Sequence, residues 1–383
     1  MTKKRNIPIS HPGTGEEEWQ ALREPLMTGW LTQGPKVEAF EKGFASRHGV
    51  KYAVATSSCT TALHLILTAL GVSSGDEVIV PAFTWVSTAN VVLYCGATPV
   101  FVDVDPNTFN IDVSQIPKKL SKRTKAILPV HLFGLCADID AITEVAPGIP
   151  IIEDAACASG SAYKGRPAGS LGIGGAFSFH PRKSITTGEG GMVTTNDEEL
   201  VEKVNSLRNH GASLSEEERH HGPQPYILPD FNLLGFNYRM TDLQGAVGVV
   251  QLSKLDDFIE ERRKWANFYS EELAGIPWLH TPVTPIGYRH GWQAYVCYLE
   301  ESKSPMSRNE IMKALYSKGI QTRPGTHAVH MLGLYKQKLG ISPDDYPRAR
   351  DCDRYTMAIP LHNRMSAEDY EFVVKTINSL SRI

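Results

Sequence analysis

The stretch IEDAACASGSAYKGRPAGSLGIGGAFSFHPRKSITTGEGGMV concentrates the residues able to do chemistry. An apolar run ends in Asp154, and the run Phe177-Ser178-Phe179 leads to Lys183, followed by a segment dense in glycine at Gly188, Gly190 and Gly191. Glycine permits close backbone approach and unusual dihedrals around that lysine. A carboxylate and a lysine at neighbouring strand ends are what pyridoxal phosphate (PLP) requires, the lysine as Schiff-base partner and the acid against the pyridinium nitrogen. Each also has an ordinary reading, Asp154 as a helix N-cap and Lys183 as a solvated loop lysine.

A phosphate needs a cup, and Ser57-Ser58-Cys59-Thr60-Thr61 opens the apolar helical run ALHLILTAL. A helix N-terminus offers free N–H groups and the positive end of the helix dipole to an anion. The ordinary alternative is a Ser/Thr cap. Beyond the next apolar run, Pro81-Ala82-Phe83-Thr84-Trp85 brings an indole to the same edge, where it can stack on a pyridine ring or simply fill core.

Short β-rich runs alternating with helical stretches between about residues 50 and 200 must position these groups, and the pattern predicts an α/β fold with a mostly parallel sheet covered by helices. The expected strands are Tyr52 to Ala55, Glu77 to Val80, Thr98 to Val104, Ala126 to Val130, Pro150 to Glu153, Gly175 to Phe179 and Met192 to Thr195. Ligands gather at the strand ends of such sheets, where loops meet helix N-termini. Residues 242 to 274 predict one or two long helices, the second with the solvated charge run EERR. After Gly275 the chain turns richer in Pro, Gly and Tyr, and new signals at Trp292 to Leu299, Arg308 to Lys318 and Ala367 to Leu380 mark a second domain. The expected division is an N-terminal arm over 1–20, a large domain over 21–255 and a small α+β domain over 256–383. Ser213 to Leu234 reads as a long loop.

A chain of 383 residues has room for about two domains. With 42% hydrophobic and 21% charged residues, it is neither disordered nor low in complexity. Its 39 basic and 42 acidic residues leave a net charge of -3, which argues against nucleic acid as a partner. The N-terminus MTKKRNIPIS lacks the apolar region of a secretory signal, and every apolar run is broken short of a membrane span, so no membrane partner and a cytoplasmic location are expected. Six scattered cysteines form no C-x-x-C pair, and His220-His221 has no third ligand at metal-like spacing, so no metal site is expected. Neither dinucleotide-binding, P-loop, zinc-protease nor serine-hydrolase motifs occur.

The ordered segments TGWLTQGPKVEAFE, SSCTTALHL, GDEVIVPAFTW, IEDAA, FSFHPRK, GEGG and LGFNYRMTDLQGAVG resemble the DegT/DnrJ/EryC1/StrS aminotransferases over nearly the whole chain. That family comprises PLP enzymes of fold type I that mostly aminate nucleotide-linked keto-sugars. The resemblance implies that Lys183 is the covalent and proton-moving lysine and that Asp154 holds the ring nitrogen protonated. It implies that backbone N–H groups of Cys59 and Thr60, with the hydroxyls of Thr60 and Ser178, hold the phosphate, while Trp85 lies against the ring. Asn237 is similarly implied to reach a phosphate in the neighbouring subunit of a homodimer. Cys59 stands where glycine is frequent, and Cys157 where a glutamine often approaches the ring hydroxyl.

On the substrate side the resemblance points to Trp30 and Thr32, to Tyr238 and Arg239, and to Arg323, His327 and His330. An arginine suits a diphosphate through its paired donors. The activity implied is ping-pong transfer from an amino acid, glutamate by expectation, to a nucleoside-diphosphate-linked keto-sugar, at C4 ahead of C3, in amino-sugar and polysaccharide (lipopolysaccharide) biosynthesis. Two rival readings are a PLP-dependent sugar dehydratase, whose members carry histidine where Lys183 stands, and a regulatory protein that keeps the fold without catalysis.

Overall fold

The computed structural model describes residues 5–213, 226 and 228–380. Seven strands build the main sheet: β1 (Tyr52–Thr56), β2 (Glu77–Pro81), β3 (Thr98–Val102), β4 (Thr124–Ile127), β5 (Ile152–Asp154), β6 (Gly174–Ser178) and β7 (Gly191–Thr195). Their spatial order is β1-β7-β6-β5-β4-β2-β3, with β4 and β5 joined through the parallel bridges Ile127↔Ile151 and Val130↔Asp154. Only β7 runs antiparallel to its neighbours; β6, β5, β4, β2 and β3 pair in parallel. Each expected strand is present with shifted ends. The fourth stops at Ile127, because Pro129 has no N–H to extend the ladder.

Alternation along three strands divides the interior. Val54, Ala176 and Val193 share one core cluster, whereas their chain neighbours Ala55, Phe177 and Met192 share another, as a two-residue period demands. The first cluster takes in α2 (Cys59–Ala69), which is apolar nearly all round because α3 (Ser87–Tyr94) and α4 (Glu198–Arg208) join it there. The second takes in Phe40 and Phe44 of α1 (Pro35–His48), whose rings lie 5.0 Å from Phe179 and 4.9 Å from Phe177. The parallel strand β2 is buried at every residue, which explains its unbroken apolar run.

The helical region beyond residue 241 is two helices, α5 (Asp242–Ser253) and α6 (Leu255–Leu273). The Asp242 carboxylate accepts the N–H groups of Lys36 and Val37 at 3.1 and 2.9 Å, fastening α5 to the start of α1. The C-terminal half of α6 enters a second core with the antiparallel strands β8 (Leu279–His280), β9 (Tyr295–Leu299) and β10 (Thr356–Ile359) and the helices α7 (Arg308–Ser317) and α8 (Ala367–Leu380). Ile7 is buried in that core, and its N–H bonds the Gly319 carbonyl at 2.7 Å. Among the described residues no helix is long and apolar enough to cross a membrane.

Candidate active site

Ser58 caps α2 reciprocally: its Oγ accepts the Thr61 N–H at 3.1 Å, and its own N–H donates to Thr61 Oγ1 at 3.0 Å. The N–H groups of Cys59 and Thr60 lie in the first turn, where no helical carbonyl can satisfy them. Gly191 lets β7 press against this helix start. A Cβ there would fall 2.3 Å from the Ser58 carbonyl carbon and 2.5 Å from the Cys59 nitrogen. Because Gly191 pairs with Ser178 on one side and Thr56 on the other, the Ser178 hydroxyl sits level with the helix start. Two first-turn N–H groups, with Thr60 in the same turn and Ser178 level with it, could receive an anion.

Asp154 ends β5 opposite Ala176 and is only 4% exposed. Its Oδ2 accepts the Thr88 hydroxyl at 2.8 Å, and Thr88 Oγ1 lies 3.0 Å from Thr84 Oγ1. Its Oδ1 accepts the Ala156 N–H at 3.2 Å. A turn follows Asp154, so the helix-cap reading has no helix to cap. Burial pushes this carboxyl up, against the hydrogen bonds from Thr88 and Ala156 and the charges of Lys183 and His131. A buried acid in that state gains from a cationic neighbour, as a pyridinium provides. Thr84 and Thr88, which orient it, were missed by the sequence reading; their i, i+4 spacing just after a strand was the available signal.

Lys183 sits in a tight turn, its N–H bonded to the His180 carbonyl at 2.8 Å and its Nζ 3.1 Å from Cys157 Sγ. Burial opposes its charge, but Cys157, Cys59 and Asp154 outweigh that and leave the ammonium pushed up. The Cys59 thiol is pushed up by burial, with its Sγ 3.4 Å from the Ala176 carbonyl. The Trp85 side chain is 59% exposed and lies 5.6 Å from the His327 ring; strand pairing of Thr84 with His327 holds the two together. An anion cup, a buried carboxylate, an amine and an open indole face are the donor set that PLP needs, and they fit it.

The other candidates are distributed around this core. Tyr238 stacks on Phe236 at 4.8 Å with its hydroxyl 3.2 Å from His64 Nδ1, and Arg239 donates to Asn209 Oδ1 at 2.7 Å. Asn237 is exposed and bridges Asn209. Trp30 Nε1 donates to the Gln33 carbonyl at 3.1 Å, while Thr32 is exposed and its carbonyl accepts the Asp242 N–H at 3.1 Å. Arg323 is exposed and edges a groove of about 420 Å³ with Met312, Tyr316 and Gln321. His330 is not brought to the cavity: it is fully buried, with Nε2 3.2 Å from the Pro343 carbonyl and its ring against Tyr346. The short helical turn Val329–Met331 rotates it inward, away from His327. His220, His221 and most of the long loop lie outside the described residues.

Residues 12–378 match the model of the DegT/DnrJ/EryC1/StrS aminotransferase family. The spore coat polysaccharide biosynthesis protein SpsC of Bacillus subtilis is 41% identical, with 99% of each chain covered. GDP-perosamine synthase of Caulobacter vibrioides is 38% identical over 99% of this chain and 100% of its own. Among solved structures, Spr1654 of Streptococcus pneumoniae in its PLP form superposes with a TM-score of 0.92 at 30% identity, covering 98% of this chain and 99% of that one.

Proposed function

From the premise that this chain belongs to the DegT/DnrJ/EryC1/StrS aminotransferase family, and is a PLP-dependent sugar aminotransferase of fold type I, we propose that it transfers the amino group of glutamate to a nucleoside-diphosphate-linked 4-keto-sugar in a ping-pong cycle. The observation that carries this reading is the convergence of Lys183, Asp154 and Cys59 at the start of α2, close enough to act on one another electrostatically past the carboxyl ends of β5 and β6, with an exposed indole at Trp85. The name of the GDP-perosamine synthase relative supports a nucleotide-linked acceptor, and that of SpsC supports a role in polysaccharide assembly.

Bound PLP supplies an electron sink for the carbon that exchanges its amino group. The chain's own residues do the rest. Asp154, oriented by Thr88 and the Ala156 N–H, keeps a proton on the ring nitrogen. Cys59 and Thr60 N–H groups with Ser178 hold the phosphate, and Trp85 covers one ring face. Lys183 Nζ takes a proton from the substrate carbon and returns it at the cofactor's C4′ atom. Arg323 and His327, on the open side, face the sugar and its diphosphate.

We also place the enzyme in the cytoplasm as a two-fold dimer in which Asn237 reaches the partner's phosphate cup, with domain limits at 1–20, 21–255 and 256–383. The test of substrate class is to incubate the pyridoxamine form with a panel of nucleotide-linked 3-keto and 4-keto sugars and follow return of the PLP spectrum. Return with 4-keto sugars alone is the expected result; return with 3-keto sugars alone would overturn the C4 assignment, and none with either would overturn the acceptor class.

A further inference from the structure

The peptide unit that precedes Lys183 is tied at both ends. Its N–H bonds the His180 carbonyl within the local turn, whereas its carbonyl, that of Arg182, accepts Gln293 Nε2 at 2.9 Å. Gln293 lies 110 residues further along by simple subtraction, in the segment that leads into β9 of the small domain.

That segment is held with unusual firmness. The Gly291 N–H bonds the Gly134 carbonyl at 2.8 Å, and the Trp292 N–H bonds His290 Nδ1 at 2.9 Å, with the two rings stacked 3.9 Å apart. The Arg262 guanidinium, buried on α6, donates through Nη1 to the carbonyls of Trp292, Gln293 and Leu361 at 3.2, 3.3 and 3.2 Å, and through Nε to Asn363 at 2.9 Å. Trp292 is buried at φ +46°, a left-handed conformation that a bulky residue keeps only when its surroundings over-determine it. Gly134 makes room, since a Cβ there would lie 2.9 Å from the Trp292 nitrogen. A long carboxamide leaving so rigid a support is a pre-set strut.

We propose that Gln293 is a positioning residue for Lys183, acting through the Arg182 carbonyl to orient the peptide plane from which the lysine side chain departs. A lysine has four rotatable side-chain bonds, so the place of Nζ depends on its backbone anchor as well as on the Cys157 contact at its tip. Fixing that anchor lowers what must be ordered when the lysine joins the cofactor. The inference rests on Lys183 being the covalent lysine of the proposed function.

The test is a double-mutant cycle on the full-length protein with PLP as the probe, comparing wild type, Gln293→Met, Lys183→Ala and the double variant. Methionine keeps the length and loses the donor. Gln293→Met is expected to raise the PLP dissociation constant roughly two- to tenfold in the wild-type background, the range for one hydrogen bond, and to lower kcat with KM for both substrates unchanged. In the Lys183→Ala background it should leave PLP affinity unchanged. Equal loss in both backgrounds would show a mere brace at the domain junction and overturn the proposal, as would no loss in wild type. Absence of PLP binding in wild type would instead overturn the cofactor reading, and this inference with it. Should Gln293→Met not fold, Gln293→Glu, which presents no N–H donor, is read by the same outcomes.

Discussion

Around Asp154 the polar groups find partners within the chain: Thr88 and Ala156 serve its carboxylate, Thr84 supports Thr88, and Ser58 closes the helix cap. The segment Phe231 to Asn237 is built the other way. Phe231 is 61% exposed and Leu234 91%, and Leu26 and Met27 of the helical turn before Trp30 are also open to solvent. Exposed apolar side chains of this kind are what a surface awaiting a partner offers. On the proposed reading, the half of the site facing the cofactor is finished by one chain, whereas the half carrying Asn237 is left for a second copy of it.

The largest break in that contrast is Lys183→Ala, which should reduce turnover to background while the cup still binds PLP. Borohydride trapping with peptide mapping checks it: wild type must be labelled at Lys183 and the variant nowhere. Asp154→Asn should lower single-turnover rates by about two to three orders of magnitude, the usual cost of one pre-organised electrostatic partner, with PLP still bound. The same change should stabilise the apo chain at neutral pH. Burial holds this carboxyl above its ordinary value, so its ionised form opposes folding. Thermal melts of the two apo proteins should differ most near neutral pH and converge as pH falls toward the ordinary aspartate range, about 3.8.

A third measurement probes the unfinished half. If Asn237 serves the partner's cup, Lys183→Ala and Asn237→Ala chains, each nearly inactive alone, should recover about a quarter of wild-type activity when refolded together in equal amounts, because half the dimers are mixed and each holds one intact site. No recovery with mixed dimers demonstrated by differential tagging would make the site complete within one chain. The smallest effect concerns acid. His48, stacked 4.0 Å from Phe44 behind the sheet, and His290 beside Trp292 are each pushed down to about 3 by burial, and His362 to about 4. For a depressed histidine the stability is present above its unfolded value near 6.5 and is lost as pH falls through the folded one. Melting temperature should therefore decline steadily from pH 6.5 to about 4, and replacing His48 by Phe should flatten that decline.

The sheet was legible where a strand carries an apolar run bounded by turn residues, as Val78–Val80 within Glu77–Pro81. The placement of Asp154 at a strand end and of a Ser/Thr cap at the start of α2 was legible because polar residues at strand and helix ends stand out against such runs. The relay from Thr84 to Asp154 was not, since it depends on how a two-residue strand meets α3 in space. Nor was the inward turn of His330, three residues from His327, because a motif does not say which face of a short helical turn meets solvent. The strand Thr356–Ile359 escaped because one threonine and three apolar residues after a charged helix carry little periodic signal.

The antiparallel strand β7 of the main sheet has a consequence for the order in which this protein can be made. Tyr52 pairs with Thr195, and Gly191 of that same strand closes against Ser58 and Cys59. Pairings between residues so distant in sequence form late and slowly, since a long loop must close before any contact rewards it. During synthesis the phosphate cup therefore cannot take shape until β7 has left the ribosome, and the Lys183 peptide remains without its Gln293 strut for a further hundred residues or so of chain growth, at about 5–20 residues per second. The nascent chain thus passes through an interval of several seconds in which its reactive amine is already translated while the walls that will shield it are not.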